Sequence, residues 1–347
     1  MPWRVHRWPC LDKLGLLSIA EAPMTHVFAA LSPTTIVAAL ESVGMAPAGE
    51  PFALNSYENR VLLFRDDDRC GWVAKFYRPE RWSTAVIQEE HDYLLELAAA
   101  GVGVAAPLRL AGGQTLHHFG GFDFALFSQQ PGQAPELEEP AHLFALGEVL
   151  GHLHGVADRR AFVHRPTLEL ASGAARASDE VLASGWLNAD QRRAYERVAG
   201  HLVEKLEGYA TPPADMIRCH GDCHLGNILG RDEVFTLVDF DDCLMAPAMQ
   251  DIWMLLSIND PASWQARLSE IREGYEEHRE FPGDELSLIE PLRSYRLMRY
   301  SAWLVARWQD PAFPAAFPWL AESGYVDSHI RELEQQRMWL DSSRWLG

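Results

Sequence analysis

The run His220-Gly221-Asp222-Cys223-His224-Leu225-Gly226-Asn227, followed by Asp239-Phe240-Asp241-Asp242, sets carboxylates and an amide in an order that can hold a metal-bound triphosphate while a hydroxyl gives up its proton. Between the two runs, Ile228-Leu229 and Val234 to Val238 are apolar and strand-like, and Gly230-Arg231-Asp232-Glu233 has the composition of a turn, which predicts a hairpin. Asn227 precedes one strand and Asp239 follows the other, so both fall at its open end. An amide oxygen and a carboxylate converging there suit Mg²⁺, a hard cation that takes oxygen ligands and fills its shell with water and phosphate. Asp222, on the same loop as Asn227, is close enough to accept a proton from an attacking hydroxyl. A lone Asp would read as a solvated turn; several polar residues in this order around a hairpin do not.

Such groups need a frame. Phe52 to Leu54, Val61 to Phe64, Trp72 to Tyr77, Pro107 to Leu110 and Phe122 to Phe127 read as five short strands of one small sheet. Ser32 ahead of Pro33 predicts a capped helix, with Ile36, Val37, Leu40 and Val43 on its apolar face. Lys75 lies in so apolar a strand that its ammonium must reach an edge or find an anion. Ile87, Leu94 and Leu97 make a helical stripe that includes Glu90, and a carboxylate buried there costs free energy unless a cation meets it. Glu90 is the first candidate partner for Lys75, and Glu89 the second. Asn55 to Arg60 contains no glycine, yet its backbone N–H groups and the Ser56 hydroxyl can meet phosphate oxygens. Ser128 to Gly132 forms a polar hinge, with backbone near Leu126 to Ser128 positioned to read an adenine edge. Helical periodicity follows over Ala141 to Val156, Asp190 to Tyr209, Met249 to Ile258, Trp264 to His278, Glu285 to Trp308 and Asp327 to Leu340, interrupted by Pro311 to Pro318. His154 is expected to pack within its helix. Asp251 is expected to brace the catalytic loop by accepting its hydrogen bonds.

The order Asp222, Asn227, Asp239 resembles that of protein kinases, with His-Gly-Asp in place of His-Arg-Asp and Asp241 where the last glycine of Asp-Phe-Gly would stand. These departures resemble the choline-kinase and aminoglycoside-phosphotransferase branch, and the missing arginine implies no phosphorylation-read activation loop. In kinases a pair such as Lys75 and Glu90 orients the ATP phosphates. Asn55 to Arg60, Lys75 to Trp82, Asp239 to Asp242, Gln250 to Leu256 and Asp310 to Pro314 resemble a narrower group, the stress response kinase A family of bacterial Ser/Thr kinases, from about Leu31 to Leu320. The resemblance implies an α+β, two-lobed protein-kinase-like fold, with a small mainly β lobe and a larger helical one. It also implies Asp222 as proton acceptor, Asn227 and Asp239 as Mg²⁺ ligands, Ser56 in contact with ATP, and Ser/Thr hydroxyls of proteins, including its own, as acceptors. A cytoplasmic monomer acting in stress response is the implied setting.

Residues 1–30 are expected to form an extension, disordered or the product of a misplaced start codon. Residues 31–128 would make the ATP-binding lobe, and 129–347 the lobe with the catalytic loop, metal site and acceptor site. With 30 basic against 49 acidic residues the formal charge is -19, which disfavours nucleic acid because phosphate backbones would be repelled. No apolar run is long enough to span a bilayer. Cys10, Cys70, Cys219, Cys223 and Cys243 lack paired, zinc-like spacing and read as reduced thiols; the last three flank the site, where packing is favoured over a redox role. Arg293, Arg296, Arg299 and Arg307, interleaved with Tyr295, Tyr300 and Trp303, could line an acceptor cleft or form a solvated face. Two other functions remain open: a small-molecule hydroxyl kinase, and a nucleotide-binding pseudokinase scaffold, against which retention of Lys75, Asp222, Asn227 and Asp239 argues.

Overall fold

Ser32 opens the first helix, its hydroxyl accepting from Thr35 N–H at 3.1 Å while Pro33 supplies a preset φ at the first helical position. The structure is a computed structural model and describes residues 26–54, 56–110, 112–209, 215–231, 233–256, 261–308, 313, 317, 320 and 324–342. The expectations for residues 1–25 and for most of 309–323 lie outside the described residues. Its strands are β1 (Phe52–Ala53), β2 (Arg60–Arg65), β3 (Gly71–Phe76), β4 (His117–Phe119), β5 (Phe122–Ser128), β6 (Ile217–Cys219), β7 (Ile228–Arg231), β8 (Val234–Leu237) and β9 (Leu244–Ala246). The helices are α1 (Pro33–Ser42), α2 (Thr84–Ala99), α3 (Pro140–Ala157), α4 (Leu170–Ala183), α5 (Ala189–Leu206), α6 (Met249–Ile252), α7 (Pro261–Glu276), α8 (Ile289–Arg307) and α9 (Tyr325–Leu340).

A five-stranded antiparallel sheet, in the order β1-β2-β3-β5-β4, makes the small lobe. Side chains alternate across it. Leu62, Phe64, Ala74, Phe76, Phe124 and Leu126 pack with Ile36 and Leu40 of α1, and Phe28 stacks on Phe122. Lys75, opposite Val61 and Ala125, points to the other face, toward α2 and the helical lobe. The chain therefore has an α+β, two-lobed kinase-like fold, as expected.

One member of the sheet differs from expectation. Pro107 makes only an isolated bridge to Phe127, and Leu108 N–H donates to the Leu126 carbonyl; the fifth strand is β4. Proline has no N–H to continue a ladder, whereas Gly120 and Gly121, at φ 59° and 88°, form the tight turn that folds β4 onto β5. Three further elements gave little sequence signal. Helix α4 is rich in Ala, Ser and Gly, and its small residues admit Tyr295 of α8 against Gly173. The β6 and β9 strands, three residues each, pair at the base of the segment 220–243. The helix expected over Met249 to Ile258 is shorter, α6 passing into a 3-10 turn over Trp253–Leu255.

Candidate active site

The predicted hairpin forms, with Ile228 opposite Leu237 and Arg231 opposite Val234. Val238 N–H donates to the Asn227 carbonyl at 2.9 Å, so Asn227 and Asp239 do meet at its open end. Asn227 spends its amide N–H on the Asp222 carbonyl, 3.0 Å away, which leaves the side-chain oxygen as its acceptor. Asp239 takes left-handed backbone, φ 62° and ψ 68°, a conformation uncommon for a non-glycine residue and most tolerated by Asn and Asp. Its carboxylate is half exposed to the cleft and meets Lys75 Nζ at 3.0 Å through one oxygen. The donor set of one amide oxygen and one carboxylate fits a hard divalent cation.

The catalytic loop is tied down on three sides. Asp251 accepts the backbone N–H groups of His220 at 2.7 Å and Gly221 at 2.8 Å, and Gln250 donates to the Gly221 carbonyl at 2.8 Å. Asp251 thus makes the hydrogen bonds expected of it. His154 lies 3.1 Å from the same carboxylate and 2.9 Å from the Tyr275 hydroxyl, so it packs and also orients Asp251. The third tie is His220, which accepts from Asp222 N–H through Nδ1 and donates from Nε2 to the Val238 carbonyl at 2.9 Å. Gly221, at φ 88°, has no room for a side chain: a Cβ would lie 2.2 Å from the Asp242 carbonyl. That packing accounts for glycine where protein kinases carry arginine.

Asp222 faces the cleft between two donors. Arg296 of α8 bonds one carboxylate oxygen, and His224 Nε2 lies 3.5 Å from the other. Since Nδ1 of His224 accepts from Gly226 N–H, Nε2 carries the proton and points it at Asp222. Burial alone would raise the Asp222 carboxyl, but Arg296 and His224 outweigh it and hold it at about 2, so it is ionised.

Lys75 pairs with Glu90 at 3.4 Å, Asp239 at 3.0 Å and Asp241 at 3.3 Å. Burial works against its charge, yet the three acids prevail and hold its ammonium well above the usual range. Glu89 does not meet Lys75; its carboxylate accepts the backbone N–H groups of Val163, His164 and Arg165 at 2.6 to 2.7 Å. Asp241 meets Lys75 through one carboxylate oxygen and pairs with Arg81 at 2.7 Å through the other. Ser56 is half buried on the turn between β1 and β2, whose Glu58 reaches α8.

Several contributors escaped the sequence reading. Arg165 donates to the Cys243 carbonyl at 2.8 Å and the Asp241 carbonyl at 2.5 Å while lying 3.7 Å from Glu90, which fixes the segment after Asp239 from behind. Arg81 lies within the Lys75 to Trp82 run but was given no role there, and Arg165 sits outside every motif; both are buried beside acids. Of the late arginines, Arg296 reaches Asp222 and Arg307 reaches Glu58, whereas Arg293 is buried against Gln336 at 2.9 Å and is not in the cleft. Cys219, Cys223 and Cys243 are fully buried, and burial pushes each thiol well up, which fits packing.

This geometry has known counterparts. Residues 50–283 match the phosphotransferase enzyme family. The chain is 41% identical over 298 residues to stress response kinase A of Escherichia coli K12, covering 86% of this chain and 90% of that protein. It is 42% identical, over the same shares, to the serine/threonine protein kinase RdoA of Salmonella typhimurium LT2. The chain belongs to the phosphotransferase enzyme family, in its stress response kinase A branch. Among solved structures, this phosphotransferase is similar to a microcompartment-associated aminopropanol kinase, with TM-score 0.68 and 18% identity over 89% of this chain and 97% of that one. An amicoumacin kinase solved in complex with AMP-PNP, Ca²⁺ and Ami is similar at TM-score 0.65 and 19% identity, over 83% of this chain and 87% of that one. At these identities the likeness is one of fold. Among the described residues, no helix is long and apolar enough to cross a membrane.

Proposed function

We propose that this phosphotransferase moves the γ-phosphoryl group of ATP to Ser/Thr hydroxyls of proteins, its own included, with Mg²⁺ held by Asn227 and Asp239. One observation carries the reading: Asp222, Asn227, Asp239 and the Lys75–Glu90 pair converge on one cleft, through contacts that leave an Asn227 oxygen and an Asp239 oxygen for a cation. When bound there, a divalent cation supplies charge screening for the phosphates. Lys75, held protonated by its three acids, neutralises phosphate oxygens, and Glu90 keeps it on station. Asp222 orients the acceptor hydroxyl and takes its proton as the oxygen attacks phosphorus in line. An ionised carboxylate held at about 2 is a weak base, so orientation is its main contribution and proton transfer completes late, once the hydroxyl has been acidified by bond formation. Ser56 is assigned to the phosphates from its turn. Residues up to 128 and from 129 onward act as the two halves of this cleft.

Protein acceptors are favoured by the name of the Salmonella relative, at 42% identity. A small-molecule acceptor is the second reading, supported by α8, whose Arg296 and Arg307 reach Asp222 and Glu58 and so set the helix beside the cleft. Radiolabelled ATP with purified protein and Mg²⁺ separates the two: self-labelling or labelling of a basic test protein supports the first, ATP consumption only with one metabolite of a panel the second. Asp222→Ala and Asp239→Ala should each abolish transfer, and the latter should also weaken binding of the metal–nucleotide complex. Full transfer by Asp222→Ala would reject its assigned role. Nucleotide binding with no transfer to any acceptor would favour a pseudokinase scaffold.

A further inference from the structure

The turn between β1 and β2, assigned above to the phosphates, lacks glycine, so it cannot mould itself to phosphates as a glycine-rich loop does; it is anchored by side chains instead. Glu58 accepts from Arg307 through Nε at 2.9 Å and Nη2 at 3.0 Å, also accepts the Trp303 indole N–H, and lies 3.4 Å from Arg81. Burial would raise its carboxyl, but these donors outweigh it and bring it below the usual carboxylate range. Beside it, the Tyr57 ring meets Trp303, Phe313 and Phe317 edge to face, with centroids 5.8, 5.0 and 5.8 Å apart. Residues of the small lobe are thus clamped to α8 and the segment after it, by an ionic contact and by an aromatic one. On α8, Arg296, Tyr300, Trp303 and Arg307 fall on one stripe, with Asp222 at its lower end and Glu58 at its upper end.

We propose that Glu58 is a positioning residue for the nucleotide: it holds the Ser56 turn down over the phosphates, and bound nucleotide leaves only when the Glu58 contact with Trp303 and Arg307 opens. The inference rests on the nucleotide site proposed above and adds what controls release from it. Rigidity that other kinases obtain through backbone contacts to phosphate comes here from a bond between lobes, formed before nucleotide arrives.

The test is dissociation of mant-ADP, followed by stopped flow from the full chain with Mg²⁺ after a chase of excess ADP. Glu58→Gln keeps the shape and removes the charge; Trp303→Phe keeps the ring and removes the indole N–H. Release should quicken about tenfold in Glu58→Gln, the change expected from losing a charge-assisted hydrogen-bonded pair, and by a smaller factor in Trp303→Phe. Because entry passes through the same opening, mant-ADP association should quicken as well, so KM for ATP should shift by less than the release rate, with little loss of kcat. Melting temperatures measured alongside separate this from a scaffold role, which would lower stability and leave the release rate alone. Release within about twofold of wild type in both variants overturns the inference while leaving the nucleotide site intact. Failure of the wild-type protein to bind mant-ADP overturns the site itself and the inference with it.

Discussion

At the level of single residues, the catalytic loop is shaped by what cannot be changed. Gly221 combines a φ of 88° with a carbonyl 2.2 Å from where a Cβ would stand, so Gly221→Ala must move Asp242 or the loop. We expect a loss of about 2 kcal/mol or more in urea unfolding, with a fall in transfer rate, because the same shift displaces the neighbouring Asp222. The candidate residues were legible because their types and order are those that metal and proton chemistry would need, and Asp222, Asn227, Asp239, Lys75 and Glu90 do reach one cleft. Arg296, Arg165, Arg81 and Glu58 were not so legible. Each acts through a partner distant in the chain, Arg296 on Asp222 and Arg307 on Glu58, and no local pattern encodes such a meeting.

Among elements, α2 is the piece on which the site turns. Its consecutive acids divide the work: Glu90 meets Lys75 within the small lobe, while Glu89 gathers three backbone N–H groups from residues 163–165 of the helical lobe. Glu89→Ala should free that segment and, through Arg165, loosen the carbonyls of Phe240, Asp241 and Cys243. Faster amide hydrogen exchange at residues 163–165 and a lower kcat are the expected results; unchanged exchange would show that the segment is held by something else. The strand elements show why reading from pattern fell short at one place. Pro107 to Leu110 has strand-like composition, but a ladder needs N–H donors, and the Gly120-Gly121 turn was the stronger signal for where the fifth strand lies.

Taken as a whole, the molecule carries buried histidines that set its response to acid. His91, between the Tyr77 and Thr115 hydroxyls, is depressed to about 3 by burial and by Lys75, and His329 to about 4 by burial. A histidine depressed on folding contributes stability that is complete above the unfolded value and is lost as pH falls toward the folded one. Between pH 7 and 5 each should cost about 2 kcal/mol. Glu285, raised to about 7 by burial, acts oppositely, since its protonated form suits the fold and its contribution grows as pH falls over the same window. Together these three groups contribute a net loss of about 2 kcal/mol in urea unfolding from pH 7 to 5, and Glu285→Gln, which removes the opposing contribution, should make the measured loss larger than in wild type. A flat response would mean that these groups are solvated in the native protein.

The engagement of α2 with both lobes also bears on how output can be tuned. Swinging this helix outward would carry Glu90 away and leave the buried Arg165 guanidinium without that carboxylate, at a cost of about 3 to 5 kcal/mol. Fewer than about one molecule in a hundred would then idle in a disengaged form at any instant. Control of output then falls to steps other than the placement of this helix.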